Sequence, residues 1–330
     1  MRMPWGDLDS IAGSFLTGRE FGLVGCLSFE ERCRRVPERL HSAGHGRIHL
    51  VNVQDPEDAF PDRSSLLRER TLENEKRLVR AGVGFQRHDA ALLSSEDSLL
   101  DLEQACSEAA ASRNLVLDVT SMPKRFFCFL LRRFMASVHV DSLVATYTTP
   151  GPMGYSTGHL AEDPMSCEHL PGFPCPLPPE GRTLVVSVGY ESLSLRSLIG
   201  IHKYQRSITK LIIPFPPDGL SSRRAWGTLL RLADTKADEV NYKNIEVVPA
   251  WDAEQVFEVL QRWEPDAGGL TLAPFGPKPH SIAMALFAMS TRAGMLYTQP
   301  KSYNPDYCRG IGRTWAYVLK WQGIPCHART

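Results

Sequence analysis

The chain has 330 residues, of which 43% are hydrophobic and 22% are charged, and its 37 Lys and Arg residues balance its 37 Asp and Glu residues. One hydrophobic core rarely serves more than about 250–300 residues, so this length predicts two domains. Zero net charge argues against a protein that coats DNA or RNA, because such binding depends on a basic excess. A local basic pocket for a small anion remains compatible with that balance.

Neither targeting nor membrane signals stand out in the sequence. The N-terminus lacks a charged segment followed by an apolar run, and no apolar stretch approaches the roughly 20 residues that span a bilayer. The eight cysteines form no CxxC pair, and the spacing of Cys167, His169 and Cys175 matches no common zinc site. We therefore expect a reduced, cytoplasmic protein that binds no metal and no cofactor.

Strands and helices alternate in the first half of the chain. An apolar strand leads into Ser28, Phe29 and Glu30, and the spacing of apolar residues predicts helices over residues 30–43 and 64–81. A second apolar strand lies between these helices. Such alternation predicts βαβ units and a parallel sheet, whose ligands bind beyond the carboxyl ends of the strands.

The third strand of this half ends in a turn rich in polar groups. Asp118 is followed by Thr120, Ser121 and Lys124, and Pro123 stands where an apolar helix begins. Free backbone N–H groups, two hydroxyls and the cations of Lys124 and Arg125 suit an anion at a helix N-terminus. The alternative is that Thr120 or Ser121 only caps the helix.

The same landmarks recur in the second half, in the same order. The strand into Ser28-Phe29-Glu30 is echoed by one into Gly189-Tyr190-Glu191, and the Asp118 turn by a turn with Gly276, Lys278 and His280. Residues 147–150 (YTTP) are echoed by residues 297–300 (YTQP), and a second apolar strand ending in proline occurs in each half. Four echoes in one order indicate an internal duplication.

A proline-rich segment separates the halves. Five of the fourteen residues from 169 to 182 are proline, which excludes a helix or a central strand. The sequence therefore predicts an α/β fold of two tandem Rossmann-like domains with mainly parallel sheets and a pseudo-two-fold duplication. The predicted boundaries are 1–168 for the first domain, 169–182 for the linker and 183–330 for the second domain.

Several candidate ligand contacts carry a structural alternative. Glu30 or Glu191 could accept ribose hydroxyls or stabilise a helix start, and His280 could contact a ligand or make a hydrogen bond at a helix start. The final loop contains Tyr303 and Arg309, which suit base stacking and phosphate contact but equally suit a protein interface.

The strand–turn–helix from Asp118 to Lys124 resembles that of the CARF superfamily, the Rossmann-like sensors of cyclic oligoadenylates in CRISPR defence. CARF domains work in pairs, and this chain carries its pair covalently. The resemblance implies that Ser28, Thr120, Ser121 and Lys124 line a ligand pocket, with Gly189, Gly276 and Lys278 opposite. Met122-Pro123 replaces the glycine pair of that family. Because the second repeat takes up the rest of the sequence, we expect no effector domain after it.

Three functions are compatible with the sequence, and the second of them is motivated by the zero net charge, the lost motif of the second half and the tyrosine-rich final loop. The first, which we favour over an enzyme, is a nucleotide-sensing or nucleotide-binding subunit of a prokaryotic antiphage or CRISPR-linked system that acts with a separate effector protein. The second is an interaction scaffold of a defence complex with vestigial pockets. The third is a ring nuclease on a cyclic oligonucleotide, in which Ser121 positions the ribose and Lys124 stabilises the developing phosphorane charge.

Overall fold

The protein is described by a computed structural model that covers residues 3–44, 46–56, 61–151, 154–155, 161–174, 182–189, 209–215, 227, 242–264 and 269–327. The chain divides into two compact units. Unit 1 comprises Met1–Asp163 and Lys301–Thr330, and unit 2 comprises Pro164–Pro300. Each unit holds a mostly parallel sheet with helices, which confirms the prediction of two Rossmann-like α/β units.

Unit 1 contains an eight-stranded sheet in the order β1-β13-β6-β5-β2-β3-β4, with β14 paired to β13. Strands β2 to β6 run parallel, and β13 runs antiparallel to β1 and β6. The strands are β1 (Trp5–Asp7), β2 (Gly22–Leu27), β3 (Ile48–Gln54), β4 (Gln86–Ala91), β5 (Asn114–Asp118), β6 (Ser142–Pro150), β13 (Ile311–Trp321) and β14 (Ile324–Pro325). The helices are α1 (Leu8–Ile11), α2 (Arg35–Ser42), α3 (Pro61–Arg80), α4 (Glu96–Cys106) and α5 (Lys124–Ala136).

Unit 2 contains a six-stranded sheet in the order β10-β9-β8-β11-β12-β7. Its strands are β7 (Ala161–His169), β8 (Thr183–Ser187), β9 (Lys210–Phe215), β10 (Ile245–Pro249), β11 (Leu270–Pro274) and β12 (Gly294–Tyr303). Its described helices are α6 (Ala253–Trp263) and α7 (Lys278–Thr291). The chain enters unit 2 within β7 and leaves it within β12.

The two sheets repeat one topology. Five consecutive parallel strands take the order third-second-first-fourth-fifth in both units, as β4-β3-β2-β5-β6 and as β10-β9-β8-β11-β12. The four landmarks of the sequence fall on equivalent strands of the two units. The strand order reverses between β2 and β5 in unit 1 and between β8 and β11 in unit 2, and ligands of doubly wound sheets bind at such points.

Apolar strands in unit 1 are covered on both faces. Every residue of β2 is buried, and Val36 and Leu40 of α2 join Leu23, Leu27 and Leu50 in one core cluster. Because crossovers between parallel strands are right-handed, helices α2 and α3 cover one face and α4 and α5 the other. The predicted helix over residues 64–81 corresponds to α3, and that over residues 30–43 to a short 3₁₀ turn followed by α2. Within the described residues, no helix is both long enough and apolar enough to cross a bilayer.

The predicted domain boundaries were wrong for the end of the chain. Residues 183–330 were assigned to one domain, yet β13 pairs with β6, placing Trp315 beside Tyr147. The physical reason is that β6 would otherwise be an exposed sheet edge, which an antiparallel strand covers. Part of the predicted linker also packs within unit 2, since Leu170 donates to the carbonyl of Met295 and Met295 to that of Phe173. Residues 175–181 lie outside the described residues.

Candidate functional site

The strand-order reversal of unit 1 brings the ends of β2 and β5 together. Ser28 follows β2, whereas Thr120 and Ser121 follow β5, and all three side chains lie at the carboxyl edge. The Ser121 hydroxyl donates to the carbonyl of Cys26 in β2, with an Oγ–O distance of 3.4 Å. Ser121 is partly exposed, while Ser28 and Thr120 are buried. The structure therefore gathers the hydroxyls that the sequence placed on two different turns.

Asp118 and Thr120 connect β5 to β6 at this edge. The Asp118 carboxylate accepts hydrogen bonds from the Thr120 hydroxyl at 2.5 Å and the Thr146 hydroxyl at 3.1 Å. The Thr120 hydroxyl oxygen also accepts from the backbone N–H of Thr148, at 2.9 Å. Because these bonds satisfy a carboxylate that is only 1% exposed, Asp118 holds the turn in shape.

Helix α5 begins at the same edge without a side-chain cap. Its N-cap residue is Pro123, whose side chain makes no capping hydrogen bond. The alternative in which Thr120 or Ser121 caps this helix is therefore wrong. Lys124 is buried in the first turn, and Arg125 points elsewhere, donating to the Ser94 carbonyl at 2.6 Å. An uncapped helix start with a neighbouring cation favours an anion.

A buried arginine lies beside this turn. Arg32 is 2% exposed, forms an ion pair with Glu30 and donates from Nη1 to the Thr148 carbonyl at 2.8 Å. Its Nε is buried without a hydrogen-bond partner among the described residues. Desolvation alone would lower the pKa of Arg32, but the charge of Glu30 raises it well above its ordinary value, so the guanidinium stays protonated.

Aromatic side chains from three segments surround this cation. The Arg32 guanidinium lies 5.9 Å from the ring centroids of both Tyr147 and Tyr155, whose hydroxyls hydrogen-bond each other at 2.8 Å. Tyr307 packs edge-on against Tyr155, and the Cys308 thiol donates to the Glu30 carboxylate. We name this group the Arg32 cluster, and its members are Glu30, Arg32, Tyr147, Tyr155, Tyr307 and Cys308.

Burial sets the charge state of the cluster's phenols. Desolvation raises the pKa of Tyr155 and that of Tyr307 well above the ordinary value of a phenol. Both side chains are therefore neutral at physiological pH, and the charges of the cluster are those of Glu30 and Arg32. The single carboxylate of Glu30 therefore balances the charge of Arg32, and what the guanidinium still lacks among the described residues is an acceptor for its Nε.

Most of the Arg32 cluster was missed by sequence reasoning. Arg32 stands in the first helical turn after β2, where the helix dipole disfavours a cation. This unfavourable position was the only indication in the sequence that Arg32 has a special role. The Tyr147 landmark was noticed, but nothing local indicated that residues 307–308 return to it. That contact depends on the pairing of β13 with β6, which places Trp315 beside Tyr147 although the two residues are more than 160 positions apart in the sequence.

The equivalent edge of unit 2 is built differently. A side-chain Cβ on Gly189 would lie 2.2 Å from the carbonyl oxygen of Phe275, and one on Gly276 would lie 2.0 Å from the Ser187 hydroxyl. At Gly189 the two strand-end loops therefore touch through their backbones, whereas Gly276 packs against the Ser187 side chain, and a larger residue fits at neither position. This explains the two glycines by close packing, where the resemblance implied a ligand pocket.

His280 is part of the same packing. The buried ring hydrogen-bonds the Ser187 hydroxyl through Nδ1 at 3.0 Å and the Pro249 carbonyl through Nε2 at 2.9 Å. Since a carbonyl can only accept, Nε2 carries a proton and donates to Pro249. Lys278 begins α7 and is partly exposed, while Glu191 lies outside the described residues.

The two final-loop candidates belong to unit 1. The ring of Tyr303 packs against Tyr307 with centroids 6.1 Å apart, next to the Arg32 cluster. Arg309 is 70% exposed and forms an ion pair with Asp306, which also forms an ion pair with Arg70 of α3. The loop is thereby attached to α3 and to the carboxyl edge of the unit 1 sheet.

Comparison with known proteins gives little further guidance. No protein family and no curated protein matches this chain. Among solved structures, the cytoplasmic domain of a prokaryotic cation chloride cotransporter is 10% identical over 86% of this chain and 96% of that chain, with a TM-score of 0.23. The functional argument therefore rests on the strands and side chains described above.

Proposed function

We propose that unit 1 binds a nucleotide-type anion at the carboxyl edge between β2 and β5, and that the protein acts as a sensor with a separate effector in prokaryotic antiphage defence. The observation that carries the binding proposal is the incomplete hydrogen bonding of the Arg32 guanidinium, whose buried Nε has no partner among the described residues. Buried donors without a partner are rare in folded proteins, so a bound acceptor would explain this one.

The surroundings of Arg32 favour phosphate as that acceptor. Arg32 binds the carbonyl of Thr148, and the backbone N–H of Thr148 binds the Thr120 hydroxyl. Thr148 therefore connects the guanidinium to the turn that precedes α5. Ser121 is partly exposed there, and α5 begins without a side-chain cap. A guanidinium, a hydroxyl and a helix N-terminus are the groups with which proteins hold phosphate.

The nucleotide class comes from the resemblance to the CARF superfamily. The tyrosines of the Arg32 cluster are compatible with it, because aromatic rings stack on bases. The defence role and the separate effector come from the same resemblance. The topology supports this assignment only to the extent that both units have Rossmann-like sheets whose strand order reverses where ligands bind.

Calorimetric titration of the full chain tests the proposal. The ligands are a panel of cyclic oligoadenylates, AMP, ATP and inorganic phosphate. Lys124→Gln removes a buried cation at the start of α5, and Lys278→Gln is a matched control at the start of α7. A hydrogen bond to a charged group contributes about 1.5–3 kcal/mol, so we expect Lys124→Gln to weaken binding by about tenfold or more. Lys278→Gln should leave the affinity unchanged.

Two results would contradict this proposal. One is the absence of binding by every ligand of the panel. The other is equal weakening by Lys124→Gln and Lys278→Gln, which would remove the assignment to unit 1. Mass spectrometry of the bound ligand then separates a sensor from a ring nuclease, because a sensor returns the ligand intact whereas a nuclease returns linear products that disappear with Lys124→Gln.

A scaffold role is the second candidate, and the packing of unit 2 favours it. The loops that follow β8 and β11 meet through Gly189 and Gly276, and His280 is bound on both sides. A unit whose strand-order reversal is occupied by its own backbone is free to serve as an interaction surface. Affinity purification of the full chain from its native host, with and without the ligand panel, tests this role. Partner proteins that bind independently of any ligand would favour the scaffold over the sensor.

A further inference from the structure

Two histidines and a cysteine converge at the opposite end of the unit 1 sheet. The ligand atoms of His49, His88 and Cys106 all lie within 4.8 Å of one another. His49 and Cys106 are 1% and 0% exposed, while His88 is partly exposed. His49 lies near the start of β3, His88 within β4 and Cys106 at the end of α4, so the group is remote from the carboxyl edge along the strands.

The sheet register explains why the two imidazoles meet. His88 pairs with Val51, so His49 is its diagonal neighbour on the same face of adjacent parallel strands. Long side chains reach across such a diagonal, and His49 Nδ1 lies 3.0 Å from His88 Nε2. Ile48 and Leu50 belong to the core cluster with α2 and α3, so His49 faces the side covered by α4. Cys106 completes the group from that helix.

These distances suit one metal ion. Zinc binds imidazole nitrogen at about 2.0 Å and thiolate sulfur at about 2.3 Å, so ligand atoms on one ion lie roughly 3 to 4 Å apart. The imidazole nitrogens already have that separation, and the sulfur needs a shift of about 1 Å or less. His49 also hydrogen-bonds the backbone of Ala105, the kind of contact that orients a metal-binding imidazole.

We propose that His49, His88 and Cys106 bind one divalent transition-metal ion, preferentially zinc, and thereby join β3, β4 and α4. Two imidazoles and a thiolate are ligands that zinc favours over magnesium or calcium. No fourth histidine, cysteine or carboxylate joins the group among the described residues. Water reaching the metal past the partly exposed His88 completes the tetrahedron. Cys106 binds as a thiolate, so its proton passes to solvent when the metal enters.

Metal titration of the full chain, after treatment with a chelator, tests the site. The probes are Zn²⁺ in competition with a chromophoric chelator and Co²⁺ followed by its absorption spectrum. Wild type should bind one equivalent, with a sulfur-to-cobalt charge-transfer band and a higher melting temperature. Cys106→Ser should remove that band, and His88→Gln should weaken Zn²⁺ binding by at least about tenfold.

Cys128→Ala is the matched control, because Cys128 is an equally buried cysteine on α5. It should keep both the stoichiometry and the charge-transfer band. If Cys106→Ser does not fold, His88→Gln decides the outcome, since His88 is partly exposed and its loss leaves the core intact. Absence of metal binding by wild type, or unchanged affinity in His88→Gln, would overturn the proposal and leave the imidazoles as a simple hydrogen-bonded pair.

Discussion

Glu30→Gln tests the burial of the ion pair at the centre of the Arg32 cluster. Glu30 and Arg32 are 7% and 2% exposed, so the substitution leaves a guanidinium in a nearly dry site. Its remaining partners are the Thr148 carbonyl and the faces of two tyrosines. Breaking a buried pair costs about 3–5 kcal/mol, and the retained amide oxygen places the expected loss near the lower end, about 3 kcal/mol.

Urea unfolding, monitored by the hydrogen exchange of peptides from β2 and β6, measures this loss in unit 1 alone. With a denaturant slope of about 1–3 kcal/mol per molar urea, the midpoint should fall by about 1–3 M. Glu73→Gln is the matched control, because its pair with Arg77 is exposed, and it should leave the midpoint unchanged. A double variant, Glu30→Leu with Arg32→Met, should be more stable than Glu30→Gln, since it buries no unpaired charge. A Glu30→Gln midpoint equal to that of wild type would refute the reasoning.

Three further predictions follow from individual contacts. Gly22→Ala should destabilise unit 1 by about 3 kcal/mol in urea, because its Cβ would lie 1.7 Å from the Ala109 carbonyl, whereas Gly84→Ala, with no atom within 4 Å, should be tolerated. Burial raises the pKa of Asp55 from 3.8 to about 6, so its ionisation opposes folding as pH rises through that range. Asp55→Asn should therefore raise the melting temperature at pH 7.5 but not below pH 4, and an equal effect at both would contradict the assignment. His280→Ala should lower the free energy of unfolding of unit 2 by about 2–4 kcal/mol by calorimetry, while ligand binding by unit 1 persists.

The strand ends could be predicted from the sequence because their signals are local. An uninterrupted apolar run such as Leu23 to Leu27 predicts a buried parallel strand, and a polar turn followed by a helical pattern locates its carboxyl end. The same local patterns, repeated in order, revealed the duplication, which the structure shows as a repeated strand order. Placement of Ser28, Thr120 and Ser121 at one edge followed directly from that topology.

Long-range pairing could not be predicted in this way. The residues of β13 are consistent with a strand, but nothing in them indicates that β6 is the partner, because pairing depends on which edges the rest of the fold leaves open. The Arg32 cluster depends on that pairing, since it brings Tyr307 and Cys308 back to Glu30. The contact of His49 with His88 depends on sheet register, which a single sequence does not specify across 39 residues.

The return of the chain to unit 1 has a consequence for synthesis of the protein. Unit 2 is inserted within unit 1, so the ribosome synthesises the whole of unit 2 before residues 301–327. Until then β6 lacks its antiparallel neighbour and the Arg32 cluster lacks Tyr307 and Cys308. Domains generally fold as their residues emerge, so unit 2 should be complete while unit 1 still waits for its last strand. A fragment ending at residue 168 would stop in this unfinished state, whereas excision of unit 2 would retain every strand of the larger sheet.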